Sequence, residues 1–168
     1  GPDAPGAAEL RDELTALGAA VTVVACDVSD RAAVEDLLSA HVPDAVVHAA
    51  GAVLNGPLDA VTAEDVGRVW EGKVAGAVHL DAALGDRALD AFVVFSSIAG
   101  TWGSGGQVGY AAANAFVDAL MESRRARGLA GVSVAWGPWT GGGMAEGPEA
   151  VEALRRRGVL ALEPGRAV

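Results

Sequence analysis

Residues 90–136, DAFVVFSSIAGTWGSGGQVGYAAANAFVDALMESRRARGLAGVSVAW, decide the fold. The apolar run at 90–96 predicts a buried strand, residues 108–127 predict a helix that ends at Gly128, and residues 132–136 predict another strand. Parallel strands need a long crossover, usually helical, between them. This stretch therefore predicts a β-α-β unit of a parallel sheet.

The same alternation extends toward the N-terminus. The patterns predict a helix at 7–17 ended by Gly18, a strand at 20–26, a helix to about Ala40 capped by Ser29 or Asp30, and a strand at 44–50. Thr62 with Asp65 resembles a capping box for a long helix that carries Lys73. A short helix is expected at about 149–157. Alternating strands and helices indicate an α/β fold with a doubly wound parallel sheet.

The glycine-rich turn that opens a dinucleotide-binding fold is missing from its expected place. That turn joins the first strand to a helix whose N-terminus holds the pyrophosphate. Glycines 103, 105 and 106 precede a helix but lie in the wrong part of the unit, and glycines 141–143 follow no such strand. The strand at 20–26 should also stand apart from residues 44–50, with unpaired backbone groups. We expect residues 1–168 to be part of a domain whose first strands and glycine-rich turn lie upstream.

Composition and charge exclude several classes of protein. The 168 residues are 51% hydrophobic and only 5% aromatic, which suits one domain of buried parallel strands and alanine-rich helices. A net charge of −10 argues against nucleic acid or an anionic membrane as a partner. The single cysteine, Cys26, rules out an internal disulfide. No membrane span or signal peptide is recognisable, so a cytoplasmic location is expected.

Four polar side chains suggest carbonyl reduction, namely Tyr110, Ser97, Lys73 and Asn114. Negative charge develops on a carbonyl oxygen as hydride arrives, so a proton donor and hydrogen-bond donors must converge on that oxygen. Tyr110 offers a phenol, and a nearby ammonium such as Lys73 favours the phenolate. Ser97 follows a strand at the ligand-binding edge of the sheet, and Asn114 lies one helical turn after Tyr110. Each alone is more often structural, but together they indicate a short-chain dehydrogenase.

The chain resembles the catalytic half of a ketoreductase domain from a modular polyketide synthase. The matching stretches are VVACDVSD, PDAVVHAAG, KVAGAVHL, FVVFSSIAGTWGSGGQVGYAAANAFVDAL, RRARG and VAWGPWTGGGMA. Most short-chain dehydrogenases carry the lysine four residues after the tyrosine. Here Asn114 stands there and the lysine is upstream at Lys73, which is the exchange found in polyketide and fatty-acid synthase ketoreductases.

The resemblance implies roles for these residues. Tyr110 would donate the proton, Ser97 would bind the β-carbonyl, Lys73 would favour the phenolate and bind the nicotinamide ribose, and Asn114 would support Lys73. Asp27 and Val28 would contact the adenine, and Ala49, Ala50 and Gly51 would lie beside the adenosine ribose. The implied cofactor is NADPH. The implied partners are an acyl carrier protein with a phosphopantetheine-bound β-ketoacyl chain, an upstream structural subdomain and other synthase domains.

The resemblance also bears on stereochemistry. Val53, Leu54 and Asn55 stand where D-selective ketoreductases carry Leu-Asp-Asp, whereas Trp102 matches a tryptophan of L-selective ones. This implies an A-type enzyme that forms an L-β-hydroxyl, although Trp102 as a loop-packing residue is the alternative. Gln107, in place of a histidine, favours an unepimerised α-position. Met144 would contact the substrate from a lid at 138–158.

The remaining candidates have structural explanations. His48 is expected to be packed or bonded to the backbone, and Cys26, His41 and His79 lack the spacing of metal ligands. The arginines at 155–157 form either a solvated face or a contact for an acidic carrier protein. Dimerisation stays open. Two other functions remain, a non-reducing scaffold or epimerising remnant and a free-standing reductase of small ketones. The intact Ser, Tyr, Lys and Asn set argues against the first, and the Lys/Asn exchange and lid sequence argue against the second.

Overall fold

Three parallel strands form one sheet in the computed structural model, which describes residues 1–140, 147, 152, 154–156 and 158–167. The strands are β1 (Ala45–His48), β2 (Ala91–Ser97) and β3 (Val132–Trp136), arranged in the order β1-β2-β3. Val46 lies opposite Phe92, and Val94 lies opposite Ser133. The predicted parallel α/β fold class is therefore confirmed.

Helices surround the sheet, and several of them begin and end where the sequence predicts. They are α1 (Ala7–Ala16), α2 (Arg31–Ala40), α3 (Ala63–Trp70), α4 (Gly76–Leu84), α5 (Ala99–Trp102), α6 (Val108–Ala126) and the short α7 (Pro164–Ala167). A π-helical turn, Glu71–Ala75, joins α3 to α4. Asp30 caps α2, and the capping box of Thr62 and Asp65 starts α3. Gly128, with φ of 79°, follows α6 as predicted.

The core lies between β2 and the helices α2, α4 and α6. Side chains of β2 alternate, so that Phe92, Val94 and Ser96 are buried. They pack with residues of the three helices, namely Val34, Ala77, Leu80, Leu84, Val117 and Met121. Cys26 is half-buried against this cluster, as expected for a small apolar residue. The packing fixes the carboxyl end of β2 against α6, which together carry three of the four predicted catalytic residues.

One buried cation joins α4 to α6. Arg124 is 0% exposed, and its guanidinium forms an ion pair with Asp81 and lies 4.7 Å from the centre of the Phe92 ring. Its Nε also donates to the Ala130 carbonyl at 2.9 Å. Arg127 bonds the same Asp81 carboxylate from a more exposed position. A buried charge of this kind is tolerated only when it is paired, so this cluster holds the far ends of the two helices together.

The strand predicted at 20–26 is wrong. These residues form no strand pairing with any other residue that the structure describes. A strand exists only through hydrogen bonds to a neighbour, and the apolar pattern of 20–26 cannot supply that neighbour. As expected, this segment does not pair with residues 44–50 in the described sheet, and Val24 is 46% exposed.

Within the described ranges there is no group of three or more His, Cys, Asp and Glu side chains that could hold a metal ion. None of the helices described is long and apolar enough to cross a membrane. Arg155 and Arg156 are exposed, whereas Arg157 and most of the helix predicted at 149–157 lie outside the described residues.

Candidate active site

An open cavity of about 860 Å³ lies beside the carboxyl ends of the strands. This edge is where open α/β sheets bind ligands. Tyr110, Ser97 and Lys73 all line the cavity, although they come from a helix, a strand end and the π-helical turn. The structure therefore brings a phenol, a hydroxyl and an amine of the predicted site together in one space.

Lys73 is held from two sides. It is only 5% exposed, and its Nζ donates a hydrogen bond to the Phe95 carbonyl at 2.7 Å. A Cβ on Gly51 would lie 2.9 Å from Lys73 Cε, so only a glycine lets the lysine stem pass. Burial lowers the pKa of Lys73, and the carboxylate of Asp118 opposes that shift. The amine is thus fixed in position at the cavity wall.

The π-helical turn that carries Lys73 is stabilised by His48. The His48 ring is 4% exposed, and its Nε2 donates to the Lys73 carbonyl at 2.9 Å. Burial lowers the pKa of His48, with the Lys73 carbonyl acting in the opposite direction. Gly76 leaves room for the ring, because a Cβ there would approach His48 Cε1 to 3.0 Å. π-helical turns within α-helices are frequent at functional sites.

Tyr110 and Asn114 lie one helical turn apart in α6. Tyr110 lines the cavity and packs against the buried cluster of Val69, Val74 and Ala113. Asn114 is 0% exposed and does not line the cavity; its Nδ2 donates to the Tyr110 carbonyl at 2.7 Å. The side-chain oxygen of Asn114 is buried and accepts no hydrogen bond from the residues that the structure describes. The Asn114 carboxamide therefore holds the Tyr110 backbone through its nitrogen, and its oxygen can still accept a hydrogen bond.

Ser97 ends β2 beside the cavity. Its Oγ accepts a hydrogen bond from the Ala99 backbone at 3.2 Å, which fixes the turn from β2 into α5. A hydroxyl that accepts from the backbone still has its own hydrogen to donate. Ser97 can therefore donate to a carbonyl oxygen in the cavity.

The predicted substrate residues divide into three groups. Trp102 lines the cavity. Its side chain is 75% exposed, so the indole is not there to pack against the described part of the chain. Gln107 also lines the cavity, where its amide bonds Ser104 and Asn55. Leu54 does not line it and packs instead against the cluster that supports Tyr110. Met144 lies outside the described residues, as does much of the predicted lid at 138–158.

Only some of the residues predicted to bind the cofactor line the cavity. Ala49 and Gly51 line the cavity, but Ala50 does not. Asp27 is exposed away from the cavity, and hydrogen bonds from the hydroxyl and backbone of Ser29 lower its pKa. Val28, also away from the cavity, packs against the core, where a Cβ on Gly76 would come within 2.8 Å of its Cγ2.

The cavity fits the nicotinamide end of a dinucleotide. It offers the amine of Lys73 and the hydroxyl of Tyr110 as polar partners, and Gly51 leaves room for the lysine stem that brings the amine to the cavity. The charge of Lys73 is buried without a carboxylate in salt-bridge contact among the described residues, which leaves it available to a bound polar group.

Nothing in the sequence indicated that Ser104 lies at the cavity, and Asn55 was identified only as one of the residues that replace Leu-Asp-Asp. Both line the cavity and bond Gln107, although Asn55 is 52 positions away along the chain. Only the glycine-rich composition of the loop before α6 hinted that a second loop could approach it closely.

Comparisons with known proteins agree with this geometry. The family described as "KR domain" matches residues 1–141. The chain is 56% identical to polyketide synthase GfsA of Streptomyces halstedii and 50% identical to erythronolide synthase EryA3 of Saccharopolyspora erythraea. Each match covers 100% of this chain, which spans only 2% and 5% of those two synthases.

A solved structure supports the same family assignment. An A-type ketoreductase from a modular polyketide synthase superposes with a TM-score of 0.93 at 50% identity. The match covers 99% of this chain and 36% of that one. The fold is thus that of the short-chain dehydrogenases, whose members use a nicotinamide cofactor. The chain belongs to the KR domain family, the ketoreductases of modular polyketide synthases.

Proposed function

We propose that this chain supplies the active site of an NADPH-dependent ketoreductase that reduces the β-keto group of an acyl chain carried by an acyl carrier protein. The observation that carries the proposal is the convergence of Tyr110, Ser97 and Lys73 on one cavity. When bound, the cofactor supplies the hydride that reaches the carbonyl carbon. The residues of the chain must then neutralise the oxygen.

Tyr110 and Ser97 act on the carbonyl oxygen in this proposal. Ser97 donates a hydrogen bond to the oxygen, which orients the carbonyl and stabilises the charge that develops there. Tyr110 donates its phenolic proton to the same oxygen. Lys73, held by the Phe95 carbonyl, stabilises the phenolate that remains. Asn114 keeps Tyr110 in place through its backbone carbonyl.

We further propose that the product is the L-β-hydroxyl of A-type enzymes. The exposed indole of Trp102 at the cavity supports this, because a bulky ring there favours entry of the pantetheine arm from one side. Similarity to an A-type ketoreductase supports it as well. Gln107 at the cavity wall is consistent with a substrate whose α-position is not epimerised.

The test uses the full-length protein that carries this chain. Oxidation of NADPH is followed with a β-ketoacyl pantetheine thioester, and the product is analysed on a chiral column. Removal of the phenolic proton in Tyr110→Phe should lower kcat by about 10²–10⁴-fold. Ser97→Ala should also lower kcat, whereas Ser123→Ala, an exposed serine on α6, should not.

Each outcome has a defined meaning. Turnover that depends on Tyr110 and yields the L-hydroxyl supports both parts of the proposal. A D-hydroxyl refutes the stereochemical part alone. If the wild type oxidises no NADPH with the thioester, the reductase proposal fails and a non-reducing role takes its place. Equal rates with a thioester and with a small free ketone would instead indicate a free-standing reductase.

A further inference from the structure

The turn at 27–30 is built from hydrogen bonds among its own residues. The Asp30 backbone donates to the Asp27 carbonyl at 3.0 Å. The backbone and hydroxyl of Ser29 both donate to Oδ1 of Asp27, at 2.9 Å and 2.7 Å. Asp27 is exposed, and its Oδ2 accepts no hydrogen bond from the residues that the structure describes. The turn therefore presents a carboxylate that is held at one oxygen and open to a ligand at the other.

His79 attaches this turn to α4. Its Nδ1 lies 3.1 Å from the Val28 carbonyl oxygen, although the two residues are 51 positions apart. A carbonyl oxygen only accepts hydrogen bonds, so Nδ1 carries the proton and donates it. The Val28 side chain packs one helical turn away, where a Cβ on Gly76 would approach its Cγ2 to 2.8 Å. Two contacts from α4 thus fix the backbone between Asp27 and Ser29.

Gly76 also connects the turn with the lysine of the cavity. A Cβ at Gly76 would approach His48 Cε1 to 3.0 Å, and the His48 ring bonds the Lys73 carbonyl. Lys73 and His79 are six residues apart, which corresponds to about 9 Å along a helix at about 1.5 Å per residue. A dinucleotide is longer than this, so one with its nicotinamide beside Lys73 can reach the turn at 27–30 with its other end.

We propose that His79 is a positioning residue that holds the turn at 27–30 in the form that binds the adenine end of NADPH. The proposal rests on the proposed function, because it concerns the cofactor of the same site. The amino group of adenine is a hydrogen-bond donor, and the open carboxylate oxygen of Asp27 is a matching acceptor. Without the bond from His79, the Val28 carbonyl is released and the neighbouring carboxylate loses its fixed orientation. His79 acts through Asp27, without a contact of its own with the cofactor.

The experiment measures binding of the adenine half of the cofactor apart from turnover. Adenosine 2′,5′-bisphosphate, which has no nicotinamide, is titrated into the full-length protein by calorimetry, and KM and kcat are measured with NADPH and the β-ketoacyl thioester. His79→Leu fills a similar volume but has no donor. It should raise the Kd of the bisphosphate and the KM for NADPH about three- to tenfold, which corresponds to the loss of one hydrogen bond. Both kcat and the KM for the thioester should change less than about twofold.

Two matched variants separate positioning from simple packing. His79→Asn keeps an N–H at the place of Nδ1 in a smaller side chain, so it should hold the Kd of the bisphosphate within about twofold of the wild type. His41→Leu removes an exposed histidine at the end of α2 and should leave the Kd unchanged. Loss of affinity in both His79→Leu and His79→Asn would show that the ring only fills space, and the proposal would fail.

A double-mutant cycle tests whether His79 acts through Asp27. If it does, His79→Leu should add nothing to the loss of affinity already caused by Asp27→Ala. Additive losses would overturn the proposal, as would a lowered unfolding midpoint of His79→Leu with an unchanged Kd. A wild type that reduces the thioester without binding the bisphosphate refutes the role of the turn alone. A wild type that binds the bisphosphate but oxidises no NADPH with the thioester refutes the proposed reduction alone.

Discussion

Gly100 allows α5 to pack directly on the backbone of α6. A Cβ on Gly100 would lie 2.9 Å from the Ala115 nitrogen and 3.1 Å from both the carbonyl carbon and Cβ of Asn114. Most of these atoms belong to the α6 backbone, so a flexible side chain cannot relieve the clash. In Gly100→Ala the two helices must separate. Overpacking of this kind costs about 1–3 kcal/mol of the free energy of unfolding.

The same separation should also reduce activity. Only Ile98 separates Ser97 from α5, and Tyr110 lies on α6. Moving the two helices apart therefore moves the hydroxyls of Ser97 and Tyr110, which both act on the carbonyl oxygen, away from each other. A displacement of about 1 Å at a reacting centre can cost on the order of 10²-fold in rate. We therefore expect Gly100→Ala to lower both the free energy of unfolding and kcat.

The assay is urea denaturation of the full-length protein followed by tryptophan fluorescence, together with the rate of NADPH oxidation. Two glycines of the same region provide matched controls. A Cβ on Gly109 would make an ordinary contact at 3.5 Å with Val66, and a Cβ on Gly105 would meet nothing within 4 Å. If Gly100→Ala unfolds at the same urea concentration as Gly105→Ala and Gly109→Ala, the Cβ at position 100 does not force α5 and α6 apart, and the reasoning is refuted.

Three further changes probe the surroundings of the site. Gly51→Ala should leave the unfolding midpoint nearly unchanged but lower kcat roughly 10- to 100-fold, because its Cβ would displace the Lys73 stem; calorimetry and NADPH oxidation separate the two effects. Burial lowers the pKa of His48, so its stabilising contribution is present above pH 6.5 and is lost as the pH falls below that value. His48→Gln should thus flatten the loss of stability between about pH 7 and pH 5, and parallel urea midpoints would contradict this. Asp81→Ala should cost about 3–5 kcal/mol in urea denaturation, because it leaves the buried Arg124 without its carboxylate, and a cost below about 1 kcal/mol would contradict that role.

Local signals in the sequence predicted most of the regular elements. The capping box of Thr62 and Asp65 and the glycine after α6 act within a few residues, so their effect is readable without the fold. The strand at 132–136 was predicted with its observed bounds. The strand at 20–26 was not correct, because pairing depends on a neighbour that the apolar pattern does not specify.

The part of the site that depends on local signals was also predictable. Ser97 ends β2 and Tyr110 lies in the first turn of α6, with only the short α5 between them, so both are expected at the same edge of the sheet. The contact of Asn55 with Gln107 joins residues 52 positions apart through loops, and exposed polar side chains carry no periodic signal of such a contact. The placement of Leu54 with the core depends on how the loop after β1 turns, which its sequence does not determine.

The π-helical turn at Glu71–Ala75 makes the effect of a deletion in the segment 63–84 depend on its position. Such a turn winds one extra residue into a helix, so deleting one residue of the turn would restore regular α-helical spacing and leave α3 and α4 in the same relative orientation. Each residue advances an α-helix by about 100°, so a deletion inside α3 or α4 would instead rotate the residues on its two sides against each other by that angle. Val69 and Leu80 could then no longer both face the core. A single-codon deletion should therefore harm folding more in α3 or α4 than in the turn between them.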